Sequence, residues 1–216
     1  MEDAHRAAER LARESYGRLI ALLAARTRDV AGAEDALGDA FAAALRTWPV
    51  DGVPDNPDAW LLTAARRRQT DEIRKRQVRS AGEEQVKLII DEIHAMTEAR
   101  DAIPDRRLAL MFACAHPAIG AGMRTPLILQ TILGLTAQDI AAAFLLSPAT
   151  MGQRLVRAKT RIRDAGIPFR VPDQEELSER LAAVLDSIYA AYTKGWNEVT
   201  GAGSLNFRTK PHSWAN

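Results

Sequence analysis

The amino-acid sequence predicts an all-α fold of two small helical modules, joined by a helical acidic linker and followed by a C-terminal helix. Apolar residues recur at spacings of three and four along most of the 216 residues, which is the period of amphipathic helices. Aromatic residues make up only 6% of the chain, and no run of alternating β-branched residues predicts a strand. A chain of this length can bury a sizeable core within one or two domains.

Composition and motifs limit the possible classes of function. The single cysteine, Cys114, excludes an intramolecular disulfide and fits a reducing compartment. The start of the chain has no apolar signal core, and no long apolar run predicts a membrane span, so we expect a cytoplasmic protein without membrane association. No P-loop, dinucleotide-binding glycine pattern or HExxH motif is present. Cys114 and His116 lack nearby further ligands, so we predict no metal, no cofactor and no enzyme activity.

The charge of the chain is close to neutral in total but unevenly distributed. The formal net charge is +1. The segment from Arg66 to Arg79 contains seven basic residues and only two acids, Asp71 and Glu72, which gives a net charge of +5. The segment from Glu83 to Asp105 contains seven acids and two basic residues, which gives a net charge of −5. The near-zero total therefore hides a basic segment that is suited to an anionic partner.

Residues 4–79 form the first predicted module. One opening helix is predicted through Leu11 and Leu23, and a second from about Val30 to Trp48. The buried stripe of the second helix is predicted to hold Ala33, Leu37, Ala40, Phe41, Ala44 and Leu45. Three prolines and a glycine predict a loop from Thr47 to Asp58. Asn56 and Pro57 then predict the cap and first position of a third helix, which begins apolar and ends basic.

The rest of the chain divides into three predicted parts and a tail. Residues 80–121 are predicted as an acidic helical linker, with helices at about 83–99 and 108–115. Residues 122–165 are predicted as a second module, and 170–200 as the start of a C-terminal extension. The extension helix, from about 174 to 194, has an apolar side and should dock on another element; that side comprises Leu177, Leu181, Val184, Leu185, Ile188 and Tyr192. Residues 201–216 lose periodicity, which predicts disorder.

The second module carries the pattern of a helix-turn-helix between Leu135 and Arg163. Thr136 with Asp139 predicts a capping box for its first helix, and Ser147 with Pro148 predicts the start of the second. The second helix has an apolar face of Met151, Leu155, Ala158 and Ile162. A separate face holds Thr150, Gln153, Arg154, Arg157 and Arg161. Lys159 lies on another side, as a phosphate or solvent contact. Spacing alone leaves open a solvated amphipathic helix pair, as well as major-groove binding.

Three segments together resemble the extracytoplasmic-function (ECF) sigma factors of bacterial RNA polymerase. AGAEDALGDAFAAALRTWP is similar to sigma region 2.2, NPDAWLLTAARRRQTDEIRKR to regions 2.3 to 2.4, and LTAQDIAAAFLLSPATMGQRLVRAKTRI to region 4.2. The resemblance covers about residues 4–165. DRRLALMFACAHPAI and RDAGIPFRVP, followed by RLAAVLDSIYAAY, resemble the subgroup with a C-terminal tetratricopeptide-like extension. Only the beginning of such an extension is expected here, so that extension looks truncated.

The resemblance implies contacts with core RNA polymerase and promoter DNA. In this family the region 2.2 helix docks on the clamp coiled coil of the β′ subunit, a role that falls here on Glu34, Asp35 and Asp39. The β flap is the second implied contact on core polymerase. Phosphates near the −10 element would be neutralised by Arg66, Arg67, Arg68, Arg74, Lys75 and Arg76.

The resemblance also implies how promoter sequence is recognised. The predicted loop at 47–58 matches the family's −10 specificity loop, with Asp51, Asp55 and Asn56 as candidate base contacts. Trp60 is expected to pack in the module core instead. At the −35 element, major-groove contact would fall on Thr150, Gln153, Arg154 and Arg157. Lys159 and Arg161 would contact phosphates there.

Two alternatives to a sigma factor stay open from the sequence. One is a stand-alone helix-turn-helix regulator, which would not need the segments that resemble sigma region 2. The other is a helical scaffold that binds an acidic protein rather than DNA. An anti-sigma factor, or the chain's own C-terminal extension, is a further possible partner of the sigma-like modules.

Overall fold

The chain forms two compact helical units, residues 1–110 and 111–216. A computed structural model describes the backbone of residues 2–78 and 105–200, and side chains at 3–75 and 105–192. Over the described residues the structure is all-helical, which confirms the predicted fold class. The helix predicted at 83–99 and the disorder predicted at 201–216 lie outside the described residues.

The first unit contains four described helices: α1 (Glu2–Glu14), α2 (Tyr16–Thr27), α3 (Val30–Asp51) and α4 (Pro57–Val78). The prediction of one opening helix was wrong, because α1 and α2 are separated at Ser15. Ser15, with φ −109° and ψ −14°, departs from the regular helical φ and separates the two helices. Arg18 on α2 forms a 3.1 Å ion pair with Asp58 in the first turn of α4.

Small and aliphatic side chains form the core of the first unit. Leu19, Ile20 and Leu23 of α2 are fully buried together with Leu37 of α3 and Leu61 of α4. The alanines predicted for the α3 stripe are buried as well, namely Ala33, Ala40 and Ala44. The stripe is narrower than predicted, since Phe41 is half-buried and Leu45 is 41% exposed. Alanine contacts let α3 lie close to its neighbours.

The loop predicted at 47–58 is shorter than expected, because α3 continues through Pro49 to Asp51. Trp48 is buried and meets Trp60 edge to face, with ring centroids 5.4 Å apart. This packing holds the last turn of α3 in helical form, and the Gly52 N–H closes it on the carbonyl oxygen of Trp48 at 3.0 Å. The loop is therefore limited to residues 52–56. The contact with Trp48 fits the expectation that Trp60 packs in the core.

The start of α4 follows the sequence prediction. The Asn56 side-chain oxygen accepts a hydrogen bond from the Ala59 N–H at 3.1 Å, and Pro57 is the first residue of α4. Asn56 satisfies an N–H that the first helical turn would otherwise leave unpaired. The cap therefore fixes where the basic helix begins.

The described helices that follow residue 105 are α5 (Arg107–Cys114), α6 (Ala121–Leu133), α7 (Ala137–Ala143), α8 (Pro148–Asp164) and α9 (Gln174–Thr200). The short apolar helix predicted at 108–115 is present as α5. Residues 111–121, which the sequence assigned to the linker, belong to the second unit. The buried Cys114 thiol lies 3.7 Å from the Thr131 hydroxyl, which joins the end of α5 to α6.

Helix α9 docks on α6, but with a different face from the predicted one. Its buried side holds Arg180, Val184, Ser187 and Ala190. Of the six predicted apolar positions only Val184 is buried, while Leu185, Ile188 and Tyr192 are each about half or more exposed. Small residues allow close approach to α6, and Arg180 is satisfied in part by Glu176 at 2.9 Å. From the periodicity, the larger apolar residues of α9 were predicted to be buried. The smaller residues are buried instead, because the contact between two helices depends on how closely they can approach.

Candidate nucleic-acid interface

Helices α7 and α8 form the predicted helix-turn-helix, and both N-termini are capped as predicted. The Thr136 hydroxyl accepts from the Asp139 N–H at 3.2 Å, and the Thr136 N–H donates to the Asp139 carboxylate at 3.1 Å. This is a complete capping box. The Ser147 hydroxyl accepts from the Thr150 N–H at 3.1 Å and donates to the Thr150 hydroxyl at 2.8 Å. In the turn between the helices, Leu145 takes the left-handed conformation at φ 54°.

The predicted apolar face of α8 is confirmed. Met151, Leu155, Ala158 and Ile162 are all buried, against α6 and α7. Burial of this stripe fixes the rotation of α8 about its axis. As a result, the side of α8 that lies away from this stripe faces solvent.

The solvent-facing row of α8 holds Gln153, Arg154, Arg157 and Arg161, all of them exposed. Thr150 is half-buried at the start of this row, where its hydroxyl is held by Ser147. Among the described residues, no carboxylate forms an ion pair with any of the three arginines. Their guanidinium groups are therefore free to donate to an external acceptor. Arginine can bridge a guanine edge and glutamine an adenine edge.

Lys159 does not fit the predicted phosphate contact, because its side chain is only 7% exposed. It lies about half a turn from the exposed row and beside the apolar stripe, where its methylene stem packs. The prediction that Lys159 faces solvent was wrong, because its angular position on α8 lies on the core side of the helix. Arg161, the other phosphate contact predicted on α8, is exposed.

The basic surface of the first unit lies along α4. Arg67, Arg68, Arg74 and Lys75 are exposed, whereas Arg66 is half-buried. Burial, and secondarily the nearby charge of Arg26, lowers the pKa of Arg66 from its ordinary value. Lys75 pairs with Glu72 at 2.9 Å on the same helix. The backbone of Arg76 lies in α4, and its side chain is outside the described residues.

The three predicted base contacts of the −10 loop lie at the ends of helices. Asp51 is the last residue of α3, rather than a loop residue, while Asp55 and Asn56 precede α4. All three side chains are exposed. Because the Asn56 oxygen is engaged with the Ala59 N–H, its amide NH₂ is the group left to contact a base.

The three acids predicted for polymerase docking do not share one environment. Asp35 and Asp39 are exposed and lie one turn apart on α3. Glu34 is half-buried. The pKa of Tyr16 is raised above its ordinary value, first by the burial of Tyr16 itself and then by the negative charge of Glu34. Glu34 is thus directed toward the first unit's own structure. Asp35 and Asp39 are the acids available to a partner.

Sequence reasoning missed a cavity of about 440 Å³ between the N-terminal turn of α6 and the exposed row of α8. Gly120 and Gly122 line it together with the arginines of that row. Two glycines at the start of an apolar helix, Gly120 at its N-cap and Gly122 in its first turn, were the available signal. By contrast, the described residues contain no cluster of three or more metal-ligating side chains. His116 Nδ1 accepts a hydrogen bond from the Ala118 N–H at 3.1 Å.

Comparison with known proteins supports the region 2 resemblance. Residues 11–79 match the family model described as Sigma-70 region 2. The match covers only the last four residues of α1 but all of α2, α3 and α4, so the acidic and basic surfaces of the first unit lie within it.

A second similarity extends beyond region 2. The chain is 38% identical over 174 residues to an uncharacterized protein of Rhizobium meliloti (strain 1021). The alignment covers 78% of this chain and 41% of that protein, so the chain spans less than half the length of its curated relative. No solved structure matches the chain. Within the described residues, no helix combines the length and apolarity that a membrane crossing needs.

Proposed function

We propose that this chain is an ECF-type sigma factor, which binds core RNA polymerase and directs it to promoters for transcription initiation. The observation that carries the proposal is the combination of a region 2 match at 11–79 with a capped helix-turn-helix in the second unit. The helix-turn-helix alone does not distinguish a sigma factor from other DNA-binding proteins. A stand-alone regulator needs only the helix-turn-helix.

In the proposed complex, the acidic surface of α3 binds polymerase. Asp35 and Asp39 are exposed at the same side of the helix, which suits a basic partner such as the β′ clamp coiled coil. Charge complementarity of this kind increases the rate of association more than it increases affinity. The second unit would contact the β flap.

The two basic helices divide the DNA contacts between them. Arginines and the lysine of α4 neutralise phosphates near the −10 element, and Asp51, Asp55 and Asn56 are available to contact a base there. Gln153, Arg154 and Arg157, with Thr150 at the start of the helix, bind the −35 element. Linking two weak DNA contacts in one chain raises the effective concentration of the second once the first has formed.

The proposal is tested with the full chain and purified core RNA polymerase from the same organism. Immobilised chain should retain core polymerase at moderate salt. The reconstituted enzyme should initiate at defined genomic sites, identified by sequencing the 5′ ends of its transcripts, and should give run-off products from those templates. Core polymerase alone is the matched control for transcription.

Charge reversal provides a matched control for binding. Asp35→Arg with Asp39→Arg should remove retention of core polymerase, whereas Glu9→Arg, an exposed acid on α1 outside this surface, should preserve it. Failure of the unaltered chain to bind core polymerase would overturn the proposal. Sequence-specific DNA binding without polymerase binding would identify a stand-alone regulator. Capture of an acidic protein with no DNA binding would identify a scaffold.

A further inference from the structure

The cavity beside α8 lies within the second unit, where the N-terminal turn of α6 approaches the middle of α8. Its volume of about 440 Å³ falls in the range of sites that hold small ligands. One wall is formed by the segment 118–123 and the other by residues 154–161. The cavity is open to solvent along the exposed row of α8.

Three arginines give the cavity a strong positive charge. Arg154, Arg157 and Arg161 follow one another at spacings of three and four, so their side chains lie along one side of α8. The residues that line the cavity include no acid. No ion pair to these arginines exists in the described parts of the chain. Repulsion between neighbouring guanidinium groups is therefore relieved only by solvent, counterions or an anionic ligand.

The opposite wall adds backbone donors. The N-cap of α6 is Gly120, which provides no side-chain cap, and the first turn of the helix contains no acid. The Met123 N–H donates to the Gly120 carbonyl at 2.8 Å, while the N–H groups of Ala121 and Gly122 find no acceptor among the described residues. These N–H groups, at the positive end of the helix dipole, complement the arginine charge.

We propose that this cavity binds a phosphate group, held by the guanidinium group of Arg161 and by the first-turn amides of α6. Arg154 and Arg157 then remain available to base edges. Two sources share this chemistry, a backbone phosphate of the duplex contacted by α8 and a free phosphate. The DNA source rests on the proposed function, whereas the binding chemistry does not. In either case the cavity gives α6 a direct part in anion binding.

Direct binding is measured with the full-length, ¹⁵N-labelled chain and inorganic phosphate, against chloride at equal ionic strength. Phosphate should shift the amide resonances of Ala121 and Gly122 in a saturable way. Arg161→Gln and Gly122→Asp should abolish the saturable shift. A Cβ at Gly122 meets nothing within 4 Å, and an acid in the first turn favours the helix, so this substitution should preserve folding. Arg163→Gln removes an arginine of α8 outside the cavity and should preserve the shift.

The source of the phosphate is determined with duplex DNA of mixed sequence, by fluorescence anisotropy at several salt concentrations. A backbone phosphate in the cavity requires Arg161→Gln and Gly122→Asp each to reduce the salt slope by about one unit. Phosphate shifts with unchanged DNA binding would assign the cavity to a free phosphate. Absence of phosphate shifts and an unchanged salt slope would overturn the proposal. Phosphate binding by a chain that fails to bind core polymerase would separate this site from the proposed function.

Discussion

The guanidinium Nε of Arg68 lies 3.6 Å from a carboxylate oxygen of Asp39, which links α4 to α3. The family resemblance implies a DNA contact for Arg68 and a polymerase contact for Asp39, so two candidate contact residues pair with each other in the unbound chain. Both side chains are more than half exposed. Water screens such a pair, and its contribution to stability is on the order of 0–1 kcal/mol. A partner that competes for either residue displaces it at little cost.

Arg68→Gln and Asp39→Asn should each change the free energy of unfolding by less than about 1 kcal/mol, because the pair is exposed. Their functional effects should differ. Asp39→Asn should weaken binding to core polymerase, and Arg68→Gln should weaken binding to DNA. Urea denaturation, polymerase retention and DNA anisotropy measure the three quantities. An equal loss of both interactions in both variants would show that the pair acts as a structural unit.

Arg154→Ala should impair DNA recognition in a sequence-dependent way. Loss of one good base contact is worth about 1–3 kcal/mol of discrimination, so cognate binding should fall while binding to unrelated duplexes falls less. Arg67→Ala on α4 should weaken binding to all sequences alike and flatten the salt dependence. Competition anisotropy with cognate and scrambled duplexes distinguishes the two outcomes. Identical behaviour of the two variants would contradict base recognition by α8.

Ser147→Ala should destabilise the second unit by about 1 kcal/mol, because it removes the acceptor for the Thr150 N–H. Ser147→Asn keeps a side-chain acceptor at the N-cap and should retain most of the stability. Thr136→Ala should cost a similar amount at α7. Urea unfolding followed by circular dichroism measures these differences. Equal stability of Ser147→Ala and the unaltered chain would mean that the cap is not formed in solution.

His116 should make the second unit sensitive to acid. Burial, and then the charge of Arg180, lowers the pKa of His116 below its ordinary value of 6.5. Below about pH 6.5 the unfolded chain takes up a proton that the folded chain resists, so stability should fall as the pH falls. Arg124 opposes protonation as well, while Glu176 and Glu179 favour it.

The contribution of His116 is isolated with His116→Asn. The Asn side-chain oxygen can still accept from the Ala118 N–H but does not titrate, so the variant should lose less stability than the unaltered chain between pH 7.5 and 5. Unfolding by urea across this pH range measures the difference. Parallel pH profiles for the two proteins would exclude His116 as the source of acid sensitivity.

Local signals in the sequence predicted helix starts well. Asn56, Thr136 and Ser147 each cap the helix that the sequence assigned to them, because a cap depends on residues within one turn. The apolar stripe of α8 was also predictable, since its four positions lie on a single narrow arc.

The structural features that the sequence did not predict arise from packing between helices. Helix α3 continues past Pro49 because Trp48 packs on Trp60, a residue twelve positions later. Lys159 is buried beside an apolar stripe, and α9 turns its smaller residues toward α6. The cavity beside α8 requires two helices to approach each other. The burial of Lys159 follows from its angular position on α8, whereas the other contacts are not encoded in the spacing of residues within one helix.

Helix α9 has a practical consequence for expression of the helix-turn-helix by itself. Val184, Ser187 and Ala190 cover α6, the helix on which α8 rests, and Arg124 of α6 pairs with Glu179 at 3.4 Å. A fragment ending at residue 165 would leave that side of α6 open to water and prone to self-association. A soluble fragment should therefore extend from 105 to at least 192.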